Sequence, residues 1–184
     1  MLFLTFYFKI VRLFRKGVSM KRLWAPWRIV YIESGDLDSD KCFLCEAKDR
    51  AEKDDDNLVL YRGEHCFVIM NKYPYNNGHL MIAPYRHIGE LEELSDEELL
   101  EMMQLAKLSV SAIKKSMGAQ GFNIGFNVGR VAGAGRADHI HLHIVPRWGG
   151  DTNFMPVLAD VKVISEELKR TYEKLLPYFR KVLE

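Results

Sequence analysis

The stretch ADHIHLHIVPRWGG, residues 137–150, sets three of the chain's six histidines, His139, His141 and His143, at every second position. Ile140, Leu142 and Ile144 alternate with them. That alternation is the period of a strand, whose successive side chains point to opposite faces, so the segment reads as a strand with one face of imidazoles and one aliphatic core face. At a rise of about 3.3 Å per residue, His139 and His143 stand roughly 13 Å apart at their Cα atoms, too far for both to ligate one ion at about 2.0 Å. A single three-histidine metal site is therefore disfavoured. The plainest alternative is a row of surface histidines on an open sheet face. Against it, His79 and His87 flank the apolar run of GHLMIAPYRH (78–87), so five of the six histidines fall in two segments able to pair side by side.

Outward from this stretch the pattern is α+β. HCFVIMN (65–71) and GHLMIAP (78–84) read as two antiparallel strands joined by the turn residues of KYPYNN. FNIGFNV (122–128) and HIHLHIV (139–145) read as two more, joined by GRVAGAGRAD (129–138). Between the pairs the spacing predicts a long helix. Ser95 and Glu98 form a capping box, Leu99, Met102, Met103, Ala106, Val110, Ile113 and Met117 recur at helical spacing, and Gly118 stops it. A second helix opens at Ser165 with Glu166 and Glu167, turns Leu168, Tyr172, Leu175 and Phe179 inward, and is kinked or divided by Pro177. AEKDDDN (51–57) reads as a solvated loop. No repeat, low-complexity segment or linker interrupts the chain, which reads as a single domain: an antiparallel sheet with two main helices.

The 184 residues, 48% hydrophobic and 28% charged, suit one domain with a substantial core. Lys plus Arg number 26 against 25 Asp plus Glu, so bulk positive charge for nucleic acid or membrane surfaces is missing, and an anionic ligand must be caught locally. Three cysteines, Cys42, Cys45 and Cys66, are an odd count with one Cys-x-x-Cys pair, which fits a reducing cytoplasm better than a disulfide framework. The first residues, MLFLTFYFKIVRLFRKGVSM, are too interrupted by Lys9, Arg12, Arg15 and Lys16 to span a bilayer, and their charges follow the apolar run, unlike a signal peptide. Two readings remain: a basic amphipathic surface helix, or an extension ahead of a natural start at Met20. The second divides the chain into an extension at 1–19 and a domain at 20–184. Trp24 and Trp27 are expected to pack against the body.

HIHLHIV has the form His-x-His-x-His with apolar residues between and after, and resembles the signature of the histidine triad (HIT) family of nucleotide-binding proteins. The likeness extends to NKYPYNNGHLMIAPYRH and NVGRVAGAGRADH, in the family's order, over roughly residues 42–155. RLWAPWR and HIVPRWGGDTNF look most like the bacterial branch that contains diadenosine tetraphosphate phosphorylases. The resemblance implies a HIT-like antiparallel sheet with two helices, a symmetric homodimer, and no divalent metal in the chemistry. It implies that His141 attacks the α-phosphorus of a nucleotide to form a nucleotidyl-histidine, which water, phosphate or another acceptor cleaves. It places His143 on a phosphoryl oxygen and as a leaving-group acid, His79 beside the triad, and Asn71 on the ribose hydroxyls, where a turn-forming Asn is the alternative. The signalling or nucleotide-binding members with phosphoramidase activity are the runner-up function. A metal-dependent oxygenase built on His-x-His is a third, and needs a carboxylate ligand beside the pair.

Gly129, Gly133 and Gly135 let backbone N–H groups converge on phosphate oxygens, so Asn127 and this loop are expected to hold the phosphates. The loop departs from the common family pattern, with Gly135 where many relatives carry Gln and one extra residue after Asn127. Arg130 and Arg136 either screen phosphate charge or are solvated. Trp148 stacks on a base, meets a partner subunit, or packs on the body. Cys42 and Cys45 have the spacing of a zinc knuckle, with buried unliganded thiols as the alternative. The family's uridylyltransferase relatives complete such a site with two histidines, and by that likeness structural zinc is expected on Cys42, Cys45, His87 and His139. The acceptor, the base preference and the polyphosphate length leave no mark in the sequence.

Overall fold

The computed structural model describes residues 41–151 and 164–181, all within the unit Asp40–Glu184. The readings of residues 1–19, of a boundary at Met20, and of Trp24 and Trp27 lie outside the described residues. Among those described, five strands form one antiparallel sheet: β1 (Val59–Arg62), β2 (Cys66–Met70), β3 (Leu80–Pro84), β4 (Gly121–Phe126) and β5 (Leu142–Arg147), in the order β1-β2-β3-β5-β4. Helices α1 (Phe43–Asp49) and α2 (Asp54–Asn57) precede β1, α3 (Asp96–Met117) links β3 to β4, and α4 (Leu168–Arg180) follows β5. The fold is α+β with two long helices, as its sequence pattern requires.

The sheet is covered on both faces at its β1–β3 end, which explains why β2 and β3 are apolar throughout and not alternating. Cys66, Val68, Met70, Leu80 and Ile82 join the main core under α3 and α4; Phe67, Ile69, Met81 and Ala83 join a second cluster with Cys42, Leu44 and Ala47 from α1. Leu142 and Ile144 of β5 point into the main core. His143, opposite Met81 in the ladder, therefore emerges on the α1 side, as do His79 and Gly125 by the same alternation.

Several expectations are corrected. The triad strand begins at Leu142 and not at His139. The β3–β5 ladder pairs Ile82 with Leu142 and would next reach Pro84, which has no N–H to give, so Ile140 donates to the Ile88 carbonyl at 2.7 Å instead. Residues 51–57 are not a loop: they form a 3₁₀ turn (Ala51–Lys53) and α2, whose Asp54 pairs with Arg62. Helix α1 and strand β1 carry no expectation in the sequence reading, being short and preceded or followed by charged residues. In α3 the capping box and the left-handed Gly118 stop stand as expected, but Leu99 and Met103 are 37% and 54% exposed, while Leu105, Ser109 and Ala112 are buried. The buried stripe is turned by about one residue, because Glu98 is drawn inward to Arg86 and Ser95. Helix α4 is capped at Glu167 and not at Ser165, and runs through Pro177 undivided, with Tyr172, Leu175 and Phe179 buried.

Candidate functional site

All three triad histidines are buried, His139 fully and His141 and His143 at 7% exposure, and His79 is fully buried beside them. They are not a row of surface imidazoles. Their hydrogen bonds fix which nitrogen carries hydrogen. His141 Nδ1 lies 2.8 Å from the His139 carbonyl. A carbonyl only accepts, so Nδ1 is the N–H and Nε2 keeps a free lone pair. The Tyr75 backbone N–H donates to His79 Nδ1 at 3.1 Å, and Asn71 Nδ2 approaches the same atom at 3.3 Å. His79 Nε2 must then be the N–H, and it donates to His143 Nδ1 at 2.9 Å. That leaves His143 Nε2–H as an outward donor. Asn127 Nδ2 lies 3.3 Å from this nitrogen and 3.3 Å from the Tyr75 hydroxyl. Since two N–H groups do not bond, the amide in its half-turned orientation presents the oxygen that His143 needs.

Burial makes charge costly here, and the like groups nearby add to it. Burial, then His143 and His141, lower the His79 pKa to about 3; burial, then His141, lower that of His143 to about 4; burial lowers that of His141. The set is therefore neutral near pH 7: one imidazole offering a lone pair, its neighbour offering an N–H, their rings 4.7 Å apart at the centroids. Such a pair can attack an electrophilic centre and hold an oxygen attached to it.

His139 turns away from this set. Its Nε2–H donates to the Pro84 carbonyl at 3.0 Å, leaving Nδ1 for Cys42 Sγ at 3.3 Å and Cys45 Sγ at 3.6 Å. His87 Nδ1 approaches Cys45 Sγ at 3.2 Å, and its other nitrogen faces Asp138 at 3.5 Å. One ligand atom from each of Cys42, Cys45, His87 and His139 lies within 4.8 Å of every other. In a zinc tetrahedron with bonds of about 2.3 Å to sulfur and 2.0 Å to nitrogen, the sulfur–nitrogen edges are about 3.5 Å. The donor set fits a structural zinc, and each histidine has an outer partner of the kind that orients a ligand. Burial, then Cys42, push the Cys45 thiol up to about 11, a penalty that a cation between the two sulfurs removes.

The remaining expected residues are distributed unevenly. Asn71 accepts from the Tyr73 N–H at 2.8 Å through its side-chain oxygen, so it forms the turn as well as facing His79. In the glycine loop the N–H groups of Ala132, Gly133 and Ala134 bond back to Gly129 and Arg130, and only Gly129 and Gly133 of the three glycines have positive φ. Those three amides are thus spent within the loop. Arg136 pairs with Asp138 at 3.0 Å, and Arg130 is exposed. The Trp148 indole donates to the Met117 carbonyl at 3.2 Å, and its ring packs on the main core. It also lines a cavity of about 560 Å³ with Asn76, Asn77 and Glu166, none of whose described walls is a triad histidine. Tyr75, Pro84 and Gly89 were not singled out from sequence. A Cβ on Gly89 would stand 2.8 Å from the Ala137 carbonyl, so glycine lets the two segments bearing His87 and His139 close together.

Comparison with known proteins agrees with this geometry. Residues 52–150 match the HIT domain family model. The chain is 39% identical over 168 residues to a protein of Mycobacterium tuberculosis named AP-4-A phosphorylase, covering 86% of each chain. Among solved structures, a histidine triad nucleotide-binding protein of Sulfolobus tokodaii superimposes with a TM-score of 0.59 at 30% identity, over 76% of this chain and 90% of its own. A zinc-bound histidine triad family protein of Mycobacterium smegmatis gives a TM-score of 0.62 at 23% identity, over 77% and 95%, and shares the fold. With its triad, sheet and sequence in agreement, the chain belongs to the HIT domain, or histidine triad, family.

Proposed function

We propose that the protein is a nucleotidyl hydrolase or transferase that acts on dinucleoside polyphosphates and related nucleotide phosphoanhydrides through a covalent nucleotidyl-His141. The carrying observation is the bond from His141 Nδ1–H to the His139 carbonyl, which leaves Nε2 as the attacking lone pair. Nε2 bonds to the α-phosphorus, the bond to the departing polyphosphate breaks, and its electron pair leaves on oxygen. The Nδ1–H keeps its carbonyl partner while the ring gains positive charge. His143 Nε2–H donates a hydrogen bond to a phosphoryl oxygen, with His79 behind it to hold that tautomer, and the weakly basic polyphosphate departs as its oxyanion. Asn127, beside His143, holds a phosphate oxygen, and Asn71 the ribose. An acceptor then attacks the same phosphorus and frees His141. Likeness to the AP-4-A phosphorylase supports inorganic phosphate as that acceptor.

The cluster of Cys42, Cys45, His87 and His139 holds structural zinc, supported by its donor set and edge lengths. A homodimer fits the apolar Leu99, Leu100 and Met103 left on the outer face of α3, and three cysteines without a disulfide fit a cytoplasmic setting.

The test uses labelled diadenosine tetraphosphate with and without phosphate. ATP plus ADP formed only with phosphate is expected; ATP plus AMP formed regardless makes water the acceptor. Rapid mixing and acid-free quenching should leave label on a His141 peptide, stable to base and labile to acid. His141→Asn should abolish turnover, and His143→Ala should slow it by roughly 10²- to 10⁴-fold. A His141→Asn variant with near-normal turnover overturns the mechanism.

A further inference from the structure

Tyr75 is half exposed, lies outside the triad, and yet touches every partner of His143 except His141. Its backbone N–H donates to His79 Nδ1, the contact that makes His79 a donor to His143. Its ring lies 4.7 Å from the His79 ring and 5.6 Å from the His143 ring, tilted over both. Its hydroxyl meets the Asn127 amide at 3.3 Å, and that amide meets His143 Nε2. His143 is therefore held from both nitrogens by groups that Tyr75 itself holds. A tyrosine 51% exposed contributes little to a core, so packing alone does not account for these four contacts.

We propose that Tyr75 is a positioning residue for His143: its ring shields the His79–His143 bond from water, so that the tautomer set by the backbone N–H stays the sole one, and its hydroxyl orients the Asn127 amide at His143 Nε2, where the reacting phosphate binds. The assignment rests on the nucleotidyl-transfer reading for its consequence in turnover, and on geometry alone for the tautomer. A half-exposed ring over two buried imidazoles also keeps water from competing for the N–H of His79. Without it, His79 and His143 gain alternative donors and acceptors, and the chain of N–H groups loses its single direction. The backbone N–H of Tyr75 survives any side-chain change, so the variants below isolate ring and hydroxyl.

The experiment compares wild-type protein, Tyr75→Ala and Tyr75→Phe as full chains. Side-chain ¹⁵N spectra of the free proteins should show His143 as a pure Nε2–H tautomer in the wild type and a mixture in Tyr75→Ala. Tyr75→Phe, which keeps the ring, should restore the pure tautomer. With diadenosine tetraphosphate, kcat of Tyr75→Ala should fall about 10- to 100-fold, short of the roughly 10²- to 10⁴-fold cost of losing the His143 imidazole itself. KM should change by less than about threefold, since the lost interaction acts in the transition state. The proposal is overturned if Tyr75→Ala keeps both the tautomer and kcat, or if it changes KM alone. Failure of the nucleotidyl-transfer reading looks different: wild-type protein would turn over nothing while its His143 tautomer stayed pure.

Discussion

At the residue scale the chemistry is decided by hydrogen, not by charge. Each of His79, His141 and His143 is a neutral imidazole whose tautomer follows from one neighbour that can only donate or only accept: the Tyr75 N–H, the His139 carbonyl, and the His79 N–H. Neutrality has a consequence for pH. The pKa values of about 3 for His79 and about 4 for His143 lie below the 6.5 of an unfolded histidine. Above pH 6.5 both states are neutral and nothing is gained or lost. As pH falls below 6.5 the unfolded chain takes up protons that the folded one refuses, so stability is lost down to about pH 4, by up to about 1.4 kcal/mol per pH unit for each such histidine. Urea midpoints measured from pH 7 to pH 4 should fall more steeply for the wild type than for His79→Gln. Parallel slopes would show that His79 is not held neutral.

At the element scale the sheet and its first helix bring two sites together on one face. Helix α1 sets Cys42 at its N-cap and Cys45 in its first turn, and its last turn is tied to β1 by Arg62. The Arg62 guanidinium donates to the Ala47 carbonyl at 2.7 Å, the Lys48 carbonyl at 3.0 Å and the Asp54 carboxylate at 2.6 Å. Arg62→Met leaves two helix-end carbonyls and a carboxylate without this partner. It should lower stability by about 1–3 kcal/mol, the range for hydrogen bonds to charged groups, reduced at the low end by solvent reaching the pair. The same change should loosen the thiol pair. Elemental analysis of wild-type protein purified without added metal should give about one zinc per chain, the stoichiometry of a closed four-ligand site. Arg62→Met should lose that zinc to a chelator faster than wild type. No zinc in the wild type removes the metal assignment; equal rates in the two proteins remove the role of Arg62.

At the scale of the whole molecule, the outer face of α3 is an apolar surface that the described residues leave uncovered. Leu100 is 61% exposed and Met103 54%, one turn apart, with Leu99 beside them. An apolar stripe of this kind on a helix is buried against a symmetric copy in many homodimers. Leu100→Glu combined with Met103→Glu should leave the melting temperature of the isolated chain nearly unchanged, because neither side chain is in the core, and should shift the mass in sedimentation from dimer to monomer. An unchanged dimer mass would place the interface elsewhere.

The sequence by itself determined the alternation of histidine with aliphatic residues, the long capped helix, and the family, because these depend on contacts within a few residues of one another. Ser95 bonds to Glu98 and Gly118 adopts a left-handed stop with no help from distant chain. The triad's order on its face was legible for the same reason. What only the tertiary structure decided was which nitrogen of each imidazole carries hydrogen and what each one faces. His139 leaves the triad for the thiols because Pro84, 55 positions earlier, ends the ladder and offers its carbonyl. His143 becomes a donor because of His79, 64 positions away, and Tyr75, whose role has no sequence signal beyond standing four residues before that histidine. Strand β1 and helix α1 stayed hidden because short elements take their form from what they pack on: Val59 against the second cluster, and Leu44 and Ala47 with it. Local periodicity specifies faces and ends; partners across the sheet specify protons, and those depend on contacts that no local pattern records.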